Sequence, residues 1–315
     1  MGKASRTKVD STRRERIAAQ RAAERRAEQR RRILIAAGSI IAVVAIVVAF
    51  IVVKANSKPP ASNTASNGPT GAALASVVSD LTSVPASTTD KIGNGGGQVN
   101  ATPKPVTNGT PLTANGKPEM LYMGAEYCPY CAAERWAMIQ ALSRFGTFSG
   151  LSTVHSASVN GAGQAEPYPN TPTFTFHGST YTSQYLTFTP VETQTNIPDK
   201  TTGGYTTLET PTKDQTALLT KYDVPPYVPA GREGAIPFID FGNQYVSIGV
   251  SYNPQVLSGL SWSTIASDLH NPNSAVAKAV VGTANYITAA ICKMTGNQPA
   301  SACTSTIQSL ESSLK

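Results

Sequence analysis

At 315 residues the chain is long enough for one large or two small domains. Its net charge of +7 is not spread over the molecule: residues 1–32 carry 12 Lys/Arg against 4 Asp/Glu, and the rest carry 14 against 15. With all the excess basicity in front of one apolar run, a broad nucleic-acid-binding face is excluded for the remainder.

The basic segment Arg13–Arg32 is rich in Ala and Arg and is expected to be helical. Residues 1–32 hold no aromatic and no recognisable nucleic-acid motif, so the expected partner of residues 13–32 is anionic lipid and not nucleic acid. The uncharged run Ile33–Val53 follows. At ~1.5 Å per residue it spans about 31 Å, enough for the hydrocarbon core of a bilayer. The arginines before it predict a cytoplasmic N-terminus (1–32), a single transmembrane helix (33–53) and an extracytoplasmic C-terminal domain. A cleavable signal peptide is the rival reading, but it has a shorter apolar core and a shorter lead than this one. Val53-Lys54-Ala55 matches a cleavage site only weakly, so an uncleaved signal anchor is expected.

Residues 54–110 read as a stalk or linker, within which the ectodomain can start from about 71. Leu74–Leu81 suits a short helix. Gly93–Gly97 lacks the Lys-Ser/Thr of a phosphate loop and reads as a turn or linker. The domain proper is expected over 111–315. Pro118–Gly124 predicts a buried strand. From Pro129 helical spacing takes over, with Ala132, Trp136, Ile139, Leu142 and Phe145 on one face and Gly146 as the stop. Further strands are expected over Leu151–Val159 and in the Thr/Tyr/Phe-rich stretch Thr173–Thr189, which turns at His177-Gly178-Ser179. A helix should open at Thr210-Pro211 and run to about Tyr222. Ile236–Phe241 and Tyr245–Ile248 predict a hairpin. The C-terminal part, about 261–313, is helical: one helix capped by Asn271-Pro272 and ended by Gly296, and a last one with Cys303, Ile307, Leu310 and Leu314 on one face.

The chemistry lies at the strand-to-helix junction Glu126-Tyr127-Cys128-Pro129-Tyr130-Cys131. Two thiols at this spacing can close a reversible disulfide. Cys128 takes the N-cap and Pro129 the first helical position, where its missing N–H costs nothing. The amides of Tyr130 and Cys131 then face the Cys128 sulfur and favour its thiolate. Cys128 is therefore the expected nucleophile and Cys131 the resolving thiol. A structural disulfide is a weaker reading, because so short a loop gains little closure entropy. Half of a zinc site with Cys292 and Cys303 is another, but a Cys-x₁₀-Cys partner about 160 residues on is unlike zinc knuckles. The pair Cys292 and Cys303 is expected to be a permanent disulfide pinning the C-terminal helical hairpin, with a redox relay between the two pairs as the alternative. His155, His177 and His270 share no metal-ligand spacing, so no metal is expected. Glu126 is expected to face solvent, and Tyr130 to form part of the surface a substrate meets.

Three stretches in order resemble the thioredoxin-like superfamily. Gly124-Ala125-Glu126-Tyr127-Cys128-Pro129-Tyr130-Cys131 resembles the family's Trp-Ala-Glu-Trp-Cys-Gly-Pro-Cys. Lys221-Tyr222-Asp223-Val224 with Gly234-Ala235-Ile236-Pro237 resembles its Lys-Tyr-Gly-Ile and Gly-Ile-Pro runs, and the hairpin and C-terminal helix follow. Most of residues 71–315, including Tyr181–Phe188 and the Cys292 to Cys303 tail, resemble an uncharacterised family of membrane-anchored thioredoxin-like proteins (domain of unknown function 929), which brings no established activity. The resemblance implies an α/β thioredoxin-like fold with a large insertion (about 160–234) between the active-site helix and the cis-Pro strand. It also implies a cis Pro237 across from the cysteines, with the Ile236 backbone pairing to a substrate, and Pro129, Tyr130, Ile236 and Pro237 as the substrate-binding residues. Two departures matter. Tyr122 stands where thioredoxins have a buried Asp, and Asn243-Gln244-Tyr245 replaces the Gly-Gly with which glutaredoxins hold glutathione. The function expected is a membrane-anchored thiol–disulfide oxidoreductase, an oxidase or isomerase rather than a reductase, that needs no cofactor. Its partners would be extracytoplasmic proteins with cysteines and a membrane redox partner. The alternative is a binding or scaffold module whose insertion carries the function.

Overall fold

The computed structural model describes residues 68–314. The basic tail, the run Ile33–Val53 and the first part of the stalk lie outside the described residues. Two helices come first, α1 (Gly71–Thr82) and α2 (Ala86–Ile92), then β1 (Lys104–Pro105), β2 (Thr113–Ala114) and β3 (Lys117–Gly124). Helix α3 (Pro129–Leu142) leads to β4 (Gly146–Ser149), β5 (Ser152–His155), β6 (Pro172–Thr175) and β7 (Thr180–Ser183). Next come β8 (Thr187–Glu192), β9 (Gln194–Pro198), β10 (Tyr205–Thr207) and α4 (Lys213–Tyr222). The hairpin β11 (Phe238–Phe241) and β12 (Tyr245–Ile248) precedes α5 (Trp262–Asp268), α6 (Ala275–Met294) and α7 (Ser305–Glu311).

The fold is mixed α/β around a mixed six-stranded sheet. Its order is β1-β12-β11-β3, and β3 also pairs with β8 and, at its start, with β2. Strand β3 is the hub. It pairs antiparallel with β11 (Met123 opposite Phe238) and parallel with β8 (Glu119 opposite Thr187, Gly124 opposite Glu192). The parallel pairing leaves the end of β3 and the end of β8 side by side. The run Met120-Leu121-Tyr122-Met123 is buried on both faces, as a continuous apolar strand inside a covered sheet must be. Alternation sends Met120 and Tyr122 into the main core with Trp136, Ile239 and the apolar side of α6. Leu121 and Met123 point the other way, against Val191, Tyr222 and Phe238 beneath α4.

Several expectations are corrected. Helix α3 does not bury one face only: every residue from Cys131 to Leu142 is buried. It ends at Leu142, and Gly146 starts β4 instead of stopping the helix. A Cβ there would fall 2.2 Å from the Thr182 carbonyl oxygen, so the close approach of β7 requires glycine. Only Ser152–His155 of the strand expected over 151–159 forms, and it pairs with β6 outside the central sheet. Within the stretch 160–234 lie the strand β8, which joins the six-stranded sheet, and the helix α4. The cap of α6 is Ser274, whose side chain accepts from Val276 N–H, with Asn271-Pro272 in the turn before it. The region from residue 71 is structured: Val77, Leu81 and Ile92 join the main core. Gly95 of the glycine cluster packs against Gly282 of α6, whose Cβ, if present, would lie 2.6 Å from the Gly95 Cα.

Helix α6 is long and apolar enough to cross a bilayer, yet 83% of its most apolar window is buried within the fold. Cys292 at its end is disulfide-bonded to Cys303, just before α7, with Cα atoms 5.8 Å apart.

Candidate active site

The chain leaves β3 at Gly124, a position with no room for a side chain. A Cβ there would lie 2.1 Å from the Tyr122 hydroxyl oxygen and 3.1 Å from Cys131 Sγ. After the turn Ala125–Tyr127, Cys128 caps α3 in an extended conformation, and Pro129 opens the helix. The Cys131 N–H donates to Cys128 Sγ at 3.2 Å. Both thiols are free; Cys128 is 3% exposed and Cys131 not at all.

Their environments separate them. Burial pushes the Cys128 thiol up, but the Cys131 thiol and N–H, the Arg135 charge and the Tyr130 N–H together bring it below its ordinary value. Burial, the shared hydrogen bond and the neighbouring Cys128 charge hold Cys131 well above its own. Of the two sulfurs Cys128 is thus the more readily deprotonated.

In front of Cys128 lies a groove of about 440 Å³ walled by Tyr127, Tyr130, Ile236 and Val250, with Glu166 and Arg232 as its charged members. Tyr127 stacks on Tyr205 at 4.0 Å, and the Tyr205 hydroxyl donates to Glu166 Oε1 at 2.6 Å. Across the groove the Cys128 thiol donates to the Ile236 carbonyl oxygen at 3.8 Å. The Ile236–Pro237 peptide is cis. The structure therefore brings Cys128, Tyr130 and Ile236 to one groove. Cys131 lies behind Cys128, while Pro129 and Pro237 are buried beside the site and do not line the groove. Cys292 and Cys303 are bonded to each other.

Behind the dithiol sits a charge pair that periodicity did not single out. Arg135, one helical turn after Cys131, is fully buried and donates from Nε and Nη2 to Glu192 at 2.8 and 2.6 Å. Its Nη2 also donates to the Ala125 carbonyl oxygen at 2.7 Å. Arg135 Nη1 and the Tyr122 hydroxyl are buried without a hydrogen-bond partner. The signal in the sequence is Glu134-Arg135 inside an apolar helix. Its buried partner stands 57 positions on at the end of a parallel strand, which no local pattern identifies. Glu126 is corrected as well: it does not face solvent but is buried, and burial raises its carboxyl despite a hydrogen bond from Thr175. Among the described residues no group of three His, Cys, Asp or Glu could hold a metal ion.

No curated protein and no solved structure matches the chain. A family model does, over residues 106–293, from the foot of the central sheet through both Cys128 and Cys131 to the end of α6. That match covers more than half of the chain, which therefore belongs to the family described as Domain of unknown function (DUF929).

Proposed function

We propose that the protein is a membrane-anchored thiol–disulfide oxidoreductase of thioredoxin-like fold. The observation that carries the reading is the placement of Cys128. Its sulfur caps a helix, accepts the Cys131 N–H at 3.2 Å, lies 3.8 Å from the Ile236 oxygen ahead of cis Pro237, and opens to a groove. The order β3-α3-β8-α4-β11-β12, with β3 and β8 parallel and β11 antiparallel to β3, supports the fold reading. On this reading the inserted segments are about 143–186 and 193–212, on either side of β8.

The Cys128 thiolate attacks one sulfur of a substrate disulfide. A mixed disulfide forms, and the other substrate sulfur leaves as a thiolate that takes up a proton. Cys131 then loses its proton and attacks Cys128 Sγ, the mixed disulfide breaks, and a Cys128–Cys131 disulfide remains. Two electrons have passed to the substrate. Run in reverse, the same steps oxidise a substrate dithiol. The apolar run Ile33–Val53 and the charge asymmetry around it support an extracytoplasmic site, and the Cys292–Cys303 disulfide fits an oxidising compartment.

The test is trapping in intact cells. Cys131→Ser should accumulate mixed disulfides between Cys128 and proteins with cysteines, whereas Cys128→Ser should trap none and have no turnover. If Cys131→Ser captures nothing and the wild-type pair does not cycle with glutathione, the oxidoreductase reading fails and a binding module takes its place.

A further inference from the structure

The oxidoreductase reading leaves one step unserved. Cys131 must lose its proton although its own side chain is fully buried, and Tyr122 stands where the family resemblance places a carboxylate base. The groups that set the electrostatics of this sulfur come from three elements. On α3, Arg135 lies four residues on, which puts it on the face of the helix that carries Cys131. On β3, Tyr122 crowds the bare Cα of Gly124 together with Cys131 Sγ. At the end of β8, Glu192 holds the guanidinium in a two-bond clamp. Tyr127 in the turn and the Cys128 sulfur also act on Cys131, Glu126 acts on the Arg135–Glu192 pair, and Tyr130 and Glu166 lie on the groove side.

Arg135 is the permanent cation of this set, because a guanidinium does not lose its proton in a protein. Ala125 connects it to both thiols. The Ala125 carbonyl oxygen accepts from Arg135 Nη2 and from Cys128 N–H, and its backbone also hydrogen-bonds the Cys131 sulfur. Glu192 occupies Nε and Nη2 and leaves Nη1 buried with its hydrogens unmatched. A buried guanidinium that keeps an unpaired donor, one helical turn from Cys131 and on the same face of α3, has spare capacity for a negative charge that is present only part of the time. We propose that Arg135, clamped by Glu192, is the positioning residue whose charge stabilises the Cys131 thiolate as it attacks the mixed disulfide, in place of a carboxylate base. This inference rests on the oxidoreductase reading and goes beyond it by naming what enables the resolving step. Charge moves in a defined way: the Cys131 proton leaves for water, the resulting thiolate is held by the guanidinium, and the charge departs on the substrate sulfur. Glu192 sets how much of the Arg135 charge the sulfur feels.

The experiment uses the full-length protein, with a mixed disulfide formed at Cys128 by a small aromatic disulfide and its resolution by Cys131 followed as release of the aromatic thiol against pH. Arg135→Met removes the cation and should move the midpoint of the profile up by at least about one pH unit, a tenfold slower release near neutrality. Arg135→Lys keeps the charge and should restore most of the rate. Glu192→Gln leaves Arg135 less neutralised and should shift the midpoint down, in the opposite direction to Arg135→Met. A purely structural salt bridge would move both variants the same way. If Arg135→Met does not fold, the opposite shift in Glu192→Gln still decides. Unchanged profiles, or shifts of the same sign in Arg135→Met and Glu192→Gln, overturn the inference while leaving the oxidoreductase reading intact. A wild-type pair that neither forms nor resolves the mixed disulfide overturns both.

Discussion

Glu134 offers a test of the packing around α3 that does not depend on any activity. Its carboxylate is fully buried in the middle of the helix, and it accepts from Ser251 N–H at 2.9 Å and Ser251 hydroxyl at 2.8 Å. No cation is paired with it among the described residues. Burial therefore dominates over the two hydrogen bonds and raises the carboxyl from 4.5 to about 7. A folded-state value above the unfolded one means that the folded protein prefers the protonated form. The associated stability is fully present below about 4.5 and is lost as pH rises through about 7. At about 1.4 kcal/mol per pH unit, the interval is worth about 3 kcal/mol.

The perturbation is Glu134→Gln, which matches the neutral form: its carbonyl accepts from Ser251 N–H and its amide donates to the Ser251 hydroxyl. The assay is urea unfolding at a series of pH values from 4.5 to 8.5. Asp240, raised to about 6 chiefly by burial, titrates in both proteins and cancels in the difference. The variant's advantage should be under about 1 kcal/mol near pH 5 and grow to about 3 kcal/mol at pH 8. A difference that stays flat across this range would refute the reasoning, because Glu134 would then ionise as freely in the folded state as in the unfolded one.

The remaining tests probe the C-terminal helices and the groove. Replacing both Cys292 and Cys303 by Ser opens a loop of 11-residue separation and should cost on the order of 3 kcal/mol. In a calorimeter that appears as a Tm about 6–12 °C lower. The Cys128–Cys131 reduction potential should not change, and a changed potential would instead indicate a relay between the pairs. Gly282→Ala drives a Cβ against the Gly95 Cα, a backbone atom that cannot rotate away, and should destabilise by about 1–3 kcal/mol in urea unfolding. Tyr130→Ala removes a half-exposed ring from the groove wall. It should leave stability within about 0.5 kcal/mol while raising KM for a protein disulfide with kcat retained.

What could be read from the sequence follows the range of the interaction that decides each element. The buried strand at 118–124, the start of α3 at Pro129 and the β11–β12 hairpin rest on local runs and turn residues, and each is present. Strand β8 begins at the end of the Thr/Tyr/Phe-rich stretch expected to form strands, but Thr187-Phe-Thr-Pro-Val-Glu alternates polar residues and holds Pro190, so nothing local assigns it to the central sheet. As the edge strand beside β3 it tolerates a proline, and only the parallel pairing with residues 119–124 reveals its place. Nothing in the apolar spacing of α3 singles out Glu134 and Arg135. They are buried because α3 is enclosed by the sheet, β6 and α6, and their partners Glu192 and Ser251 stand 57 and 117 positions on. The Gly93–Gly97 cluster resembles linker composition, and its reason is a close approach to Gly282 that no local pattern encodes.

The segments around β8 also shape what the dithiol can meet. In a bare β3-α3-β8-α4-β11-β12 arrangement the N-terminus of α3 would stand on an open surface. Here the stretch before β8 brings Glu166 and Tyr168, and the stretch after it brings Tyr205, which stacks on Tyr127 and is tied to Glu166. The loop before β11 adds Arg232 to the opposite rim. Cys128 consequently sits at 3% exposure on the floor of a groove of about 440 Å³, a volume that admits a few side chains but not a folded surface. A disulfide that reacts there must be carried on an extended or protruding segment, with its neighbours against Tyr130, Ile236 and Val250. On the proposed reading, the walls select for substrates that are still unfolded or have a protruding loop, and the choice is made by steric access before either sulfur is attacked.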